Sequence, residues 1–263
     1  MSTYSRSSYS HLDAFNRAAS YGDGVFETIR CVHGRMPLWS YHHQRLCRGL
    51  ERLQIESPEA SEINAAIDEL LDDTSTGVVK LMVFRAGAAR GYSTETQANE
   101  WQLRFTPTET LVSPEPMRVS IANVKLAPQP LLAGIKHLNR LEQVLAGLEL
   151  AKHHSDDLIM CDVMDNIIES ISSNLIMIKD EQMITPDLSD CGVQGVGLRW
   201  LQTHLSIKTR TIALEELCEA ESIVLINSVR GPRLVSEVKG MKSYGQSHPL
   251  QAKMRHLWDQ LFT

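Results

Sequence analysis

The stretch that most constrains the fold lies between residues 157 and 185. Three short apolar runs, 158–163, 167–178 and 182–185, are separated only by Met164-Asp-Asn166 and Lys179-Asp-Glu181. Runs of this length, bounded by Asp and Asn, read as strands of a meander rather than as helices. The rest of the chain sets helices beside strands. Residues 24–33 form a strand pattern, His33-Gly-Arg35 a turn, and Ser40 caps a helix reaching residue 54 with Leu46, Leu50 and Leu53 on its inner face. A helix over 61–72 and strands over 77–84 and 100–105 follow, the two strands joined by the Gly/Ala-rich stretch 85–93. After a strand at 118–124, Leu138, Leu141, Val144, Leu145 and Leu148 mark the expected buried stripe of a helix over 139–153. A helix from Gly197, a short strand, a helix near 214–218, a strand at 223–227 and a closing helix from His248 complete the pattern. The fold class expected is α+β. Residues 107–117, rich in proline, are expected to link a domain over 1–106 to one over 118–263.

The length, 263 residues, suits one large or two small domains. A hydrophobic fraction of 43% with 22% charged residues is that of a globular chain. The net charge of −6 disfavours a nucleic-acid or membrane-surface binder. The longest apolar runs are strand-sized, far short of the roughly 20 residues of a membrane span. The Ser- and Tyr-rich first eleven residues read as a frayed tail without a signal-peptide core. Five scattered cysteines without Cys-x-x-Cys spacing argue against a disulfide framework and a zinc site. The expectation is a cytoplasmic protein without a metal.

Five segments carry candidate chemistry. Lys136, in Gly134-Ile-Lys-His-Leu-Asn-Arg140, reads as lying at the mouth of a helix among apolar neighbours, where its amine pKa would fall; it is either a nucleophile and base or an exposed cation. Glu169 stands in an apolar strand and needs a partner, either a protonated heteroaromatic nitrogen or an arginine. Asp190-Cys-Gly-Val-Gln-Gly-Val-Gly197 is a glycine turn feeding a helix, a possible phosphate site that is neither a Walker loop nor a dinucleotide fingerprint. In Tyr21-Gly-Asp-Gly-Val-Phe-Glu-Thr-Ile-Arg30, alternation puts Phe26, Thr28 and Arg30 on one face and Val25, Glu27 and Ile29 on the other. That first face either lines a carboxylate pocket or meets solvent. Arg45 serves an anion or water.

The order of these pieces resembles the fold-type IV pyridoxal-phosphate enzymes, a family that holds branched-chain and D-amino acid aminotransferases and aminodeoxychorismate lyases. The resemblance spans about residues 21–235. It implies the family's two-domain architecture and pyridoxal 5'-phosphate as cofactor. Lys136 matches the lysine that binds the cofactor covalently, and His42-x-x-Arg45-Leu46 the helix that sends an arginine to its phosphate. Glu169, with Asn174 five residues on, matches the acidic residue that pairs with the pyridine nitrogen. Gly195-Val196-Gly197 is similar to the phosphate turn, and Asn227-Ser228-Val229 to the late loop that touches phosphate and substrate. Two departures are Asn16, where the family commonly has Asp, and Leu198, which moves Arg199 one place later in the phosphate turn. Gly134-Ile-Lys-His-Leu-Asn-Arg-Leu-Glu-Gln-Val-Leu145, Arg90-Gly-Tyr-Ser93 and Thr28 resemble the lyases more than the aminotransferases. The resemblance thus implies conversion of 4-amino-4-deoxychorismate to 4-aminobenzoate and pyruvate, with transamination of branched-chain or D-amino acids as the alternative. It implies Lys136 and Thr28 as catalytic residues and Phe26, Arg30, Arg90, Tyr92 and Val229 as substrate contacts. It also implies a homodimer.

Overall fold

A computed structural model describes residues 3–6, 16–87, 91–108, 116–245 and 247–262. It divides into two compact units, Met1–Leu111 with Ile135–Asn139, and Val112–Gly134 with Arg140–Thr263. Residues 109–115 of the expected linker lie outside the described residues. The segment carrying Lys136 groups with the first unit rather than the second. The reason is backbone pairing, described with the site below.

The first unit contains β1 (Thr3–Arg6), α1 (Arg17–Tyr21), β2 (Gly24–Cys31), α2 (Trp39–Arg52), α3 (Ala60–Leu70), β3 (Gly77–Arg85) and β4 (Asn99–Pro107). Its antiparallel sheet runs β1-β4-β3-β2. Thr3–Arg6, expected as part of a frayed tail, is therefore an edge strand paired with β4. In β2 the expected alternation holds: Val25, Glu27, Ile29 and Cys31 are buried while Phe26, Thr28 and Arg30 are half-buried. Val25 and Ile29 join Leu46 and Leu50 of α2, Ile63 and Ile67 of α3, and Val79, Leu81 and Leu103 of the sheet in one core. Ser40 does not cap α2. The N-cap position is Leu38, so Ser40 lies inside the first turn. At α1, Asn16 is the N-cap and its side chain accepts from the Ala19 N–H at 2.9 Å, a role open to Asn as to Asp.

The second unit contains β5 (Met117–Leu126), α4 (Leu141–Leu150), β6 (Asp157–Asp162), β7 (Ile167–Ser170), β8 (Asn174–Lys179), β9 (Gln182–Pro186), α5 (Val196–His204), β10 (Ile207–Arg210), β11 (Ser222–Asn227), β12 (Gly231–Val238), β13 (Lys242–Ser243) and α6 (Pro249–Asp259). Leu214–Cys218 is a 3₁₀ turn. The sheet runs β10-β9-β8-β11-β12-β5-β6-β7, with β13 on β12, and β7 pairs back onto β8. The ring of strands from β8 round to β7 therefore closes, and its seam is the pair Glu169↔Asn174. The expected single strand over 167–178 is in fact two, folded at 171–173. Ile159 and Cys161 enter one apolar cluster while Leu158 and Met160 enter another, so β6 is buried on both faces.

The helix after Lys136 departs from expectation. It begins at Leu141, not at 139, and its leucine stripe faces outward: Leu141, Val144, Leu145 and Leu148 are 75, 53, 54 and 60% exposed. Its inner face carries Glu142, which accepts from the Ala127 N–H, Ala146, and Glu149, which accepts from the Asn123 N–H and side chain. These polar anchors, on β5 and just past its end, turn the stripe away from the unit's core.

α6 packs on this unit through Trp258, which meets Trp200 edge-on at 5.7 Å. Gly231 sits at φ +73°, and an added Cβ there would stand 2.3 Å from the Trp258 indole nitrogen. Gly231→Ala is expected to destabilise the protein by about 1–3 kcal/mol, from left-handed strain plus the clash. Thermal unfolding measures it, and an unchanged midpoint contradicts the packing described.

Candidate active site

In the first unit, β2 is extended sideways by the segment that carries Lys136. The Phe26 N–H donates to the Lys136 carbonyl at 3.0 Å and the Leu138 N–H to the Gly24 carbonyl at 2.9 Å, with Val25 and His137 bridged. Lys136 is thus held in extended chain five residues before α4, not at a helix mouth, and the helix-dipole argument for its pKa does not apply. Its Nζ lies 4.5 Å from the centroid of the Phe26 ring. Phe26, Thr28 and Arg30 are brought together on the open face of β2, as alternation requires.

On the covered face of the same strand, Glu27 is 1% exposed and meets two residues of α2 spaced three apart. The Arg45 Nε donates to Glu27 Oε1 at 2.8 Å, Arg45 Nη2 donates to Oε2, and His42 Nδ1 lies 2.6 Å from Oε2. Burial pushes the Glu27 carboxyl up, but the charge and hydrogen bonds of Arg45 and the His42 contact outweigh it and hold the pKa at about 2. Burial pushes His42 down, against the pull of Glu27. Arg45 is therefore oriented by a carboxylate the motif reading left unassigned. The signal was present, since a Glu on the apolar face of β2 demands a cation.

The loop beyond β3 is anchored by arginines that share Asp23. Arg17 Nε and Arg85 Nε donate to Asp23 Oδ2 at 2.7 and 3.0 Å. Arg17 also donates to the carbonyls of Gly91 and Tyr92 at 3.1 and 3.2 Å. Tyr92 is 87% exposed, its ring 5.4 Å from that of Tyr21. Arg90 lies outside the described residues.

In the second unit, Glu169 and Asn174 face one another across the β7–β8 seam and grip the backbone of one residue, Val193. The Val193 N–H donates to Glu169 Oε2 at 3.0 Å, and Asn174 Nδ2 donates to the Val193 carbonyl at 2.8 Å. Gln143 of α4 donates to Glu169 Oε1 at 3.2 Å. These two donors, a backbone amide and an amide side chain, satisfy both oxygens of the buried carboxyl group. Gly134 straps the same turn, donating to the Gly192 carbonyl and accepting from the Gln194 N–H.

The turn leads directly into α5, whose N-cap is Gly195. A Cβ at Gly195 would stand 1.9 Å from Asn174 Oδ1, and one at Gly197 3.2 Å from the Asn227 carbonyl. Position 195 excludes a side chain and position 197 leaves little room for one, so the N–H groups at the start of α5 are flanked by glycine backbone, which suits an anion. Asn227 closes the arrangement: its Oδ1 accepts from the Val229 and Arg230 N–H groups at 3.1 and 2.8 Å, and its Nδ2 donates to Ser173 Oγ at 3.1 Å. Asn174, Gly195, Val196, Gly197 and the turn bearing Ser228 and Val229 are thus assembled within this unit. Buried Arg233, which donates to the same Ser173 Oγ at 2.9 Å, supports it from beneath. These contacts, like Gln143 and Glu27, arise from long-range register and were not marked by any motif.

Each unit by itself thus presents candidate groups, a positioned lysine in the first and a backbone anion cradle in the second. Residues 24–238 match the class IV amino-transferases, and the chain belongs to that family. It is 32% identical over 238 residues to an aminodeoxychorismate lyase of Vibrio harveyi, covering 87% of this chain and 88% of that protein. The crystal structure of 4-amino-4-deoxychorismate lyase from Pseudomonas aeruginosa superposes with a TM-score of 0.90 at 30% identity, covering 99% of this chain and 100% of that one. A branched-chain-amino-acid aminotransferase of Escherichia coli is 24% identical over 281 residues, covering 96% of this chain and 88% of that protein.

Glu27→Gln is expected to cost on the order of 3 kcal/mol at neutral pH, because Arg45 loses its buried counter-charge. The pH dependence has a definite sign. Glu27 is depressed from 4.5 to about 2, so its contribution is complete above its unfolded pKa and is lost as pH falls towards 2. His42, depressed from 6.5, adds loss on acidification in the same direction. Urea unfolding from neutral pH down to about pH 3 measures both; a variant as stable as wild type at neutral pH contradicts the pairing.

Proposed function

We infer that the chain is a pyridoxal-phosphate-dependent lyase converting 4-amino-4-deoxychorismate to 4-aminobenzoate and pyruvate, a step towards folate. The observation that carries this reading is the match to lyases over nearly the whole chain, in sequence and in fold. The residues fit the cofactor. Lys136 binds it covalently; α5 backbone at Gly195, Val196 and Gly197, with Asn174, Ser228 and Arg45, holds its phosphate; Glu169 sits at its ring nitrogen. When bound, pyridoxal phosphate supplies an electron sink for the carbon that bears the substrate nitrogen.

The protein's own groups do the rest. Glu169, positioned by the Val193 N–H and Gln143, would pair with the ring nitrogen and favour its protonated form. The Lys136 amine would take the proton from the carbon that bears the substrate nitrogen. The bond to the enolpyruvyl oxygen then breaks, the ring becomes aromatic, and the released enolpyruvate gains a proton to become pyruvate. Thr28, on the open face with Phe26, carries that proton. Arg30, Arg90, Tyr92 and Val229 contact substrate and its two carboxylates. The exposed leucine stripe of α4 supports a homodimer through this face. The enzyme works in the cytoplasm, without nucleic-acid or membrane partners. The segment 107–117 serves as the linker between the domains.

Purified protein incubated with 4-amino-4-deoxychorismate and no amino acceptor is expected to yield 4-aminobenzoate by chromatography. Absence of product beside 2-oxoglutarate-dependent transamination of Leu or D-Ala would establish the aminotransferase instead. Lys136→Ala is expected to lose the visible absorption band of bound cofactor; a band that persists unchanged reassigns the lysine. For the dimer, Leu145→Glu is expected to shift the protein to monomer in light-scattering chromatography, and an unshifted dimer removes α4 from the interface.

A further inference from the structure

The loop that carries Ser228 is held from beneath by a buried charge that no motif marked. Arg233 stands on β12, 4% exposed, directly opposite Leu225 of β11. It lies two residues past the pair Asn227↔Gly231, which closes the loop 228–230. A guanidinium has five N–H donors. Among the described residues the Arg233 side chain makes one hydrogen bond, from Nη2 to Ser173 Oγ at 2.9 Å, and its buried Nε makes none. The neighbouring carboxylate oxygen, Asp157 Oδ2, is 4.0 Å away, beyond hydrogen-bond reach, and accepts instead from the Ser170 hydroxyl at 2.9 Å. Burial pushes the Arg233 guanidinium down and the Asp157 carboxyl up. A buried pair so loosely joined is a poor source of stability.

What the arrangement does fix is the amide of Asn227. Ser173 Oγ accepts from Arg233 and, at 3.1 Å, from Asn227 Nδ2, which occupies both lone pairs of the hydroxyl. Ser173 is itself held at the hairpin tip, its N–H donating to Ser170 Oγ at 3.1 Å. Asn227 must then turn its NH2 group inward, where it also donates to the Ser172 carbonyl at 3.3 Å, and its Oδ1 outward. There Oδ1 accepts from two successive amides of the loop, those of Val229 and Arg230. Without Arg233 the Ser173 hydroxyl is free to rotate and donate to Asn227, the amide can flip, and the two loop N–H groups then face an NH2 group. A buried polar network rigidifies a site only while its members are satisfied. We propose that Arg233 is a positioning residue for the cofactor phosphate: through Ser173 it sets the Asn227 amide, and through Asn227 the loop 228–230. The inference rests on the assignment of that loop and the start of α5 to the phosphate, and adds to it a group that does not touch the ligand.

The test compares binding of pyridoxal 5'-phosphate with that of pyridoxal, which lacks only the phosphate, by absorption titration of the full chain freed of cofactor. Arg233→Met is expected to weaken pyridoxal 5'-phosphate roughly ten- to hundredfold, the size of one charge-assisted hydrogen bond, and pyridoxal less than about threefold. Ser173→Ala leaves Asp157 and Arg233 in place and is expected to shift the ratio of the two affinities in the same direction. The double variant is expected to lose less than about twofold more than Arg233→Met, because both residues act through one link. Arg233→Lys keeps the charge and a donor and is expected to recover most of the loss. Thermal unfolding of the same samples separates positioning from support: a residue that only stabilises the fold lowers the midpoint and weakens both ligands alike. Equal weakening of both ligands overturns the proposal, as does unchanged binding of both. If Arg233→Met does not fold, Ser173→Ala decides by the same criterion. Should wild type bind both ligands equally, the phosphate assignment fails and the proposal with it. A wild-type preference for the phosphorylated form that survives intact in Arg233→Met and Ser173→Ala sinks the positioning role alone.

Discussion

Burying a carboxylate is costly unless donors surround it, and each unit is organised about one that is buried. Glu27 can sit on the covered face of β2 only because α2 presents His42 and Arg45, three residues apart, against it. That requirement sets the rotation of α2 on the sheet and the plane of the Arg45 guanidinium. Glu169 is met differently, by the Val193 amide and Gln143. Those two donors come from a turn and from α4, so satisfying one carboxylate draws both elements to the β7–β8 seam. The apolar clusters around each site supply the bulk of the burial energy, but they do not choose these geometries.

The seam also shapes the backbone at the start of α5. Asn174 closes the ring of strands opposite Glu169 and occupies the space a side chain at position 195 would need. Asn227 does the same at position 197 and, through Ser173, ties its own turn to the seam hairpin. Close packing therefore favours glycine at positions 195 and 197, at the start of α5. The bare amides, pre-aimed, are what an anion needs, and they carry no competing charge that would have to be displaced.

Much of the site was readable residue by residue. Period two placed Phe26, Thr28 and Arg30 together, and the glycine turn announced a helix start. Three features were not readable. The α4 stripe has a helical period, but periodicity cannot say which face meets the core; the polar anchors Glu142 and Glu149 decided it. Asn174 is five residues from Glu169 in sequence and directly opposite it in space, because the chain reverses at 171–173. Lys136 follows a glycine and precedes a helix, yet its backbone is taken up by β2, and strand pairing overrode the local pattern.

By itself, then, the sequence determined the alternation of faces, the strand-rich second half and the residue types needed to hold a phosphorylated aldehyde cofactor. These depend on local sterics and on chemistry carried by single side chains, which act over a few residues. Tertiary structure alone decided that Glu27 orients Arg45, that Val193 is shared by Glu169 and Asn174, and that Arg233 reaches the Ser173 hydroxyl that Asn227 also meets. Each of those contacts joins segments far apart in the chain. Their register is set by the packing of whole sheets, which no local window contains.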